Sequence, residues 1–101
     1  MAPMLLTLNI DQIAPARYRA VVTQGGVEVT EGETLHASIA DAIQCTARDV
    51  PSGFAHFIEP RFAGVTCGTL RITDAAQAAC AEEAARKIVA LVSDMHALGL
   101  A

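Results

Sequence analysis

Apolar and polar positions alternate from Met4 to Ile10. Leu6, Leu8 and Ile10 fall on one side of an extended chain, and Thr7 and Asn9 on the other, which is the period-two signature of a half-buried strand. Pro3 and Pro15 bracket this stretch, and residues 11–16 carry no clear period. The pattern therefore favours an edge strand, with an arm that pairs with a second chain as the alternative. Next, Arg17 to Thr23 and Val27 to Thr30 flank Gly25-Gly26, a pair suited to the primed turns that need positive φ. The expected hairpin sets Val22 against Val29 and Thr23 against Glu28. Tyr18, Ala20, Val22 and Val29 then look into the core, while Arg17, Arg19, Val21, Thr23, Glu28 and Thr30 look the other way. Glu31 would meet Ala20 on the inner side, so the pairing is expected to fray before it.

Beyond Gly32 the period changes to that of a helix, with Thr34 as cap and an end near Arg48. Its inner side is Leu35, Ile39, Ala42, Ile43, Thr46 and Val50; Ala37, Asp41, Gln44 and Arg48 face solvent. Pro51-Ser52-Gly53 stops it. Phe54 to Ile58 reads as a strand, Glu59 to Gly64 as a turn region around Pro60, and Val65 to Ile72 as the partner strand of a second hairpin. Asp74 to Leu98 forms the last helix, with Asp74 and Gln77 as a capping box and Ala81, Ala84, Ala85, Ile88, Leu91, Val92 and Met95 along one stripe. Glu82 with Arg86 and Glu83 with Lys87 add pairs at i,i+4. The predicted fold class is α+β: a two-layer sandwich, a mainly antiparallel sheet of about five strands in the order β-β-β-α-β-β-α, with two helices on one face.

Composition narrows this picture. A chain of 101 residues makes one domain and buries roughly 65% of its unfolded surface. The apolar fraction of 52% is rich in alanine and aromatics are only 4%, so the core is thin and self-association is expected. Seven basic residues are outnumbered by eleven acidic ones, giving a net charge of −4 with no basic run, which disfavours nucleic acid as the partner. No apolar run approaches the roughly 20 residues that span a bilayer, and Met1 to Ile10 lacks the positive start of a secretory signal. Three cysteines without a C-x-x-C fit reduced thiols, and the expected location is the cytoplasm.

The search for chemistry is mostly negative. His36, His56, His96, Cys45, Cys67 and Cys80 show no pair at the short spacings typical of zinc ligands, so neither a metal nor a cofactor is expected. His56 and Cys67 lie on strands expected to pair, which makes a thiol–imidazole contact conceivable, but the glycine-flanked turns that present a nucleophile are missing. His56, Glu59 and Arg61 form the most polar spot outside the helices. Acid–base chemistry is one reading of them, and a solvated hairpin end is the simpler one. Gly64 and Gly68 make no phosphate loop, since no G-K-[ST] follows.

From Tyr18 to Ala47 a short hairpin leads through Glu31-Gly32-Glu33-Thr34-Leu35 into an alanine-rich helix, and this third of the chain resembles the HicB-like antitoxin module. The resemblance implies a similar hairpin-and-helix arrangement; the Pro-x-x-Pro-Gly-Cys turn of that family is absent. The function expected is that of a small non-catalytic binding or regulatory protein. It acts through protein–protein contacts of its open sheet face or an edge strand, with another protein or a second copy in a homodimer as partner. The alternatives are a HicB-like antitoxin or acidic phage-type inhibitor, and a small-ligand protein or enzyme using His56, Glu59 and Arg61. The candidate binding residues are Arg17, Arg19, Thr23, Glu28, Thr30, His56, Glu59 and Arg61, with no catalytic residue assigned.

Overall fold

The computed structural model describes residues 5–25, 27–28, 34–51 and 53–99. Its elements are β1 (Leu5–Ala14), β2 (Arg17–Gln24), β3 (Val27–Glu28), β4 (Thr34–His36), α1 (Ile39–Asp49), β5 (Phe57–Phe62), β6 (Val65–Thr66), β7 (Leu70–Arg71), α2 (Ile72–Ala75) and α3 (Ala78–Ala97). One sheet holds all seven strands in five columns: β3 and β4 lie along the outside of β2, then come β2, β1 and β5, and β6 and β7 lie along the outside of β5.

The first strand is the centre of this sheet, which corrects the expectation of an edge strand. β1 runs antiparallel to β2, with Leu8 opposite Val22 and Ile10 opposite Ala20, and parallel to β5, with Leu6 opposite Ile58 and Leu8 opposite Pro60. Its period is lost after Asp11 because an extra residue bulges between Gln12 and Ala14, leaving Ile13 51% exposed. Pro15 presets the first corner of the return and Ala16, at φ 57°, supplies the second, so Ala14 meets Arg17 across a two-residue loop.

The second hairpin keeps its expected register, with Thr23 opposite Glu28 and Gly25 at φ 59°. Val29, Thr30 and Glu31 lie outside the described residues, and Ala20 meets Thr34 instead of Glu31. Thr34 therefore belongs to a strand and does not cap the helix. The cap is Ser38, whose Oγ accepts from the Asp41 N–H at 3.0 Å while its carbonyl accepts from Ala42. Leu35 also leaves the predicted helix stripe, because its strand pairing with Arg19 turns it to the other side of the sheet.

Pro60 is the largest departure on the other half. The predicted turn over Glu59 to Gly64 is in fact most of β5, and the reversal is confined to Ala63 and Gly64, both at positive φ. A proline inside a strand is admissible only where a ladder bond is not required. Here β7 pairs with Phe57 and Ile58 and β6 with Arg61 and Phe62, so Pro60 stands at the break in the outer ladder. That break is the segment Cys67–Thr69, where Gly68 takes φ 105°. The last helix is likewise interrupted. Ala76 and Gln77 separate α2 from α3, Gln77 caps α3 without a side-chain bond, and the Asp74–Gln77 contact is backbone, Gln77 N–H to Asp74 carbonyl at 2.9 Å. Gln44 of α1, expected in solvent, donates from Nε2 to the Ala76 carbonyl at 3.2 Å, supplying a partner at the interruption.

Packing follows from these registers. Leu6, Leu8, Ile10, Ala20, Val22 and Ile58 share one side of the sheet and form a single core with Ile39, Ala42, Ile43 and Ala47 of α1, Ala75 of α2, and Ala81 and Ala84 of α3. Both long helices thus cover the same face, and the alanines let them approach each other and the sheet closely. Tyr18 and Phe62 close one end of this core with rings 6.0 Å apart and tilted by 60°. The stripe of α3 is fully buried only as far as Ile88; farther along Leu91 is 42% exposed, because the helix of roughly 30 Å outruns the sheet beneath it.

Candidate functional site

Among the described residues, no helix lies on the opposite face of the sheet. Odd-numbered residues of β1 point to it, and their neighbours on β2 and β5 form rows across it. One row runs Glu28, Thr23, Thr7, Glu59; the next Val21, Asn9, Arg61, Thr66; the third Leu35, Arg19, Asp11; and the last Leu5, Phe57, Arg71. Short links lay these side chains flat. Arg19 pairs with Asp11 at 3.4 Å, Arg61 with Glu59 at 3.2 Å, and Asn9 Nδ2 donates to Thr23 Oγ1 at 3.3 Å. Exposed ion pairs of this kind contribute little stability. They leave a surface on which charged side chains alternate with Val21, Phe57 and Leu35, the last 49% exposed.

Of the residues expected to bind, Arg19, Thr23, Glu28, Glu59 and Arg61 lie on this one face. Local pattern alone puts Arg19, Thr23 and Glu28 on a hairpin and Glu59 and Arg61 in a separate turn. The parallel pairing of β1 with β5 joins the two groups, and no local sequence signal announces a parallel pairing across some fifty residues. Arg17 is exposed beyond the bulge at the end of β2, opposite Ala14, and Thr30 lies outside the described residues. Thr7, Asn9, Asp11, Phe57 and Leu35 were missed as face residues. The alternation of β1 already pointed Thr7 and Asn9 away from the core, whereas Leu35 was hidden by the helix period.

His56 does not join Glu59 and Arg61. It precedes β5, is exposed, and lines a cleft of about 850 Å³ with Arg48, Val50, Phe57, Arg71 and Thr73, whose walls include neither Glu59 nor Arg61. The conceivable pair of His56 with Cys67 gains no support either. Burial pushes the Cys67 thiol up, opposed by a backbone hydrogen bond and by Lys87 and reinforced by Cys80 and Glu59. A nucleophilic cysteine needs the opposite shift.

A third arrangement sits at the start of α1. His36 is buried on the inner side of β4, opposite Tyr18, and its Nδ1 lies 3.2 Å from Asp41 Oδ2. One helical turn on, Cys45 Sγ donates to Asp41 Oδ1 at 3.5 Å. Burial first, and then the Asp41 carboxylate, hold the Cys45 thiol above the ordinary range, so without a cation it is a protonated donor and not a nucleophile. The carboxylate stands between thiol and imidazole, an order unlike that of a thiol–imidazole–carboxylate triad, in which the imidazole is central. Comparison with known protein families, curated proteins and solved structures returns no match to this chain.

Proposed function

We propose that this chain is a small non-catalytic binding or regulatory protein whose working surface is the bare face of the sheet. The observation that supports this most is the open sheet face, uncovered by any helix among the described residues, on which Arg19, Thr23, Glu28, Glu59 and Arg61 surround half-exposed apolar side chains. An open sheet face of mixed polarity suits a macromolecular partner better than a small ligand, which calls for concavity. The edges offer less. Among the described residues the outer columns hold strands of two or three residues, each exposing few backbone groups for strand addition.

The size of the face bears on affinity. Five columns about 4.8 Å apart and strands of about six residues at about 3.3 Å each give a footprint of about 400 Å². A standard interface takes about 800 Å² from each partner. The bare face alone therefore supports a modest, exchangeable complex, in keeping with a regulatory role, and a tighter one must enlist the rim around Leu35 and Arg17. Partners of this chemistry are another protein or a second copy of the chain.

The double variant Arg17→Glu, Arg19→Glu tests the assignment. Light scattering on wild type reports self-association, and affinity capture from the native host reports other partners. The reading expects the variant to keep its circular dichroism and lose the partner or dimer that wild type shows. Retained binding by a folded variant, or a wild type that is strictly monomeric and holds no partner, would refute it.

A further inference from the structure

We propose that His36, Asp41 and Cys45 form a binding site for a zinc-class divalent cation, with three protein ligands and a water in the fourth position. Asp41 and Cys45 are four residues apart on α1 and so project from one side of the helix on successive turns. Pairing of β4 with β2, His36 opposite Tyr18, turns the imidazole inward against that side. Their ligand atoms, an imidazole nitrogen, a carboxylate oxygen and Sγ, all lie within 4.8 Å of one another.

That spacing fits a metal. Bond lengths of about 2.0–2.1 Å to nitrogen, 2.0–2.2 Å to oxygen and 2.3 Å to sulfur, at tetrahedral angles, place ligand atoms about 3.3–3.7 Å apart. His36 Nδ1 lies 3.2 Å from Asp41 Oδ2 and Cys45 Sγ 3.5 Å from Asp41 Oδ1, so each contact is near that range but reaches a different oxygen of the one carboxylate. Turning the Asp41 carboxylate and the two neighbouring side chains would bring one oxygen, the imidazole and the thiolate onto a common shell, starting from separations all within 4.8 Å. The donor set of nitrogen, oxygen and sulfur selects zinc over magnesium or calcium, which prefer oxygen alone. The Asp41 side chain is 45% exposed, so one vertex opens to solvent and admits water. Binding replaces the S–H bond with an S–Zn bond, and the proton leaves to solvent. The cation would tie the outer strand β4 to α1, whichever face of the sheet proves to bind a partner. Spacing alone hid this site, because His36 and Cys45 are nine residues apart and the aspartate between them is not a residue a cysteine–histidine search counts.

Titration of the reduced, chelator-treated full chain with Co²⁺ tests the site. The expected result is a one-to-one complex with tetrahedral visible bands and a thiolate-to-cobalt charge-transfer band, both removed by added Zn²⁺. Cys45→Ser should abolish the charge-transfer band, and His36→Ala and Asp41→Asn should each weaken binding about tenfold or more. Cys67→Ser and Cys80→Ser should leave it intact. Amide spectra of unaltered wild type with Zn²⁺ give a reading free of folding defects, with shifts centred on residues 36–48. No charge-transfer band, a band that survives Cys45→Ser in folded protein, or shifts centred elsewhere would overturn the proposal.

Discussion

Leu8 is 0% exposed, flanked by Val22 on one neighbouring strand and Pro60 on the other, with the helices packed over the same face. Leu8→Ala removes three carbons from that position. Lost transfer energy is about 0.8 kcal/mol per methylene-sized group, about 2.4 kcal/mol in all. The cavity left in a sheet that is bonded on both sides cannot collapse easily and adds about 1–2 kcal/mol, so the expected loss is about 3.5–4.5 kcal/mol. A domain of this size holds only about 5–15 kcal/mol, so the variant is folded but close to its limit. Urea unfolding followed by circular dichroism measures the change, with Ile13→Ala at the exposed bulge as control at under about 0.5 kcal/mol. If L8A falls below the folding threshold, Ile58→Val on the adjacent strand should cost about 1 kcal/mol. An L8A loss under about 1 kcal/mol would refute the central placement of β1, since only an edge strand or a loose arm could absorb the truncation so cheaply.

Other consequences concern caps, turns and thiols. Ser38→Ala removes the acceptor of the Asp41 N–H and should cost about 1 kcal/mol in the same unfolding assay. Ala63→Asn should stabilise by about 0.5 kcal/mol, because residues 63 and 64, at φ 52° and 78°, form a primed turn that favours Asn-Gly. The raised thiols of Cys45 and Cys67 should react more slowly with a thiolate-selective reagent near pH 8 in native protein than in urea. For both groups the folded state holds the proton more tightly, so their contribution to stability is complete below the unfolded thiol value of about 8.5 and is lost as pH rises through the higher folded value. The urea midpoint should therefore fall above about pH 9, and fall less in a Cys45→Ser, Cys67→Ser variant.

Period-two and period-3.6 patterns were legible wherever one side of an element meets the core. Leu6, Leu8 and Ile10, Ala20 and Val22, Ile39, Ala42 and Ile43, and Ala81, Ala84 and Ile88 all face inward as their spacing predicts. Long-range pairing was not legible. Whether a strand is central depends on a partner some fifty residues away, and β1 acquires β5 only after the chain has passed through β2, β4 and α1. Boundaries failed where a long-range pairing or bond outvoted local propensity. Thr34 and Leu35 have a helical period but find ladder partners on β2, Pro60 reads as a turn but occupies a break in the outer ladder, and Gln44 bonds to the Ala76 carbonyl where a continuous helix was expected. The candidate face was half legible for the same reason: its residues were named, but as two separate clusters.

The claim that the helix-free side of the sheet is the working surface is tested most directly by site-specific photocrosslinking in the native host. A photoreactive phenylalanine is placed at Thr7 or Val21 on the bare face, or at Arg86 on the exposed side of α3. Discrete adducts from positions 7 and 21, to another protein or a second copy of the chain, with none from position 86, are the expected result. Adducts from position 86 alone, or none from the sheet face of a folded chain, would contradict it.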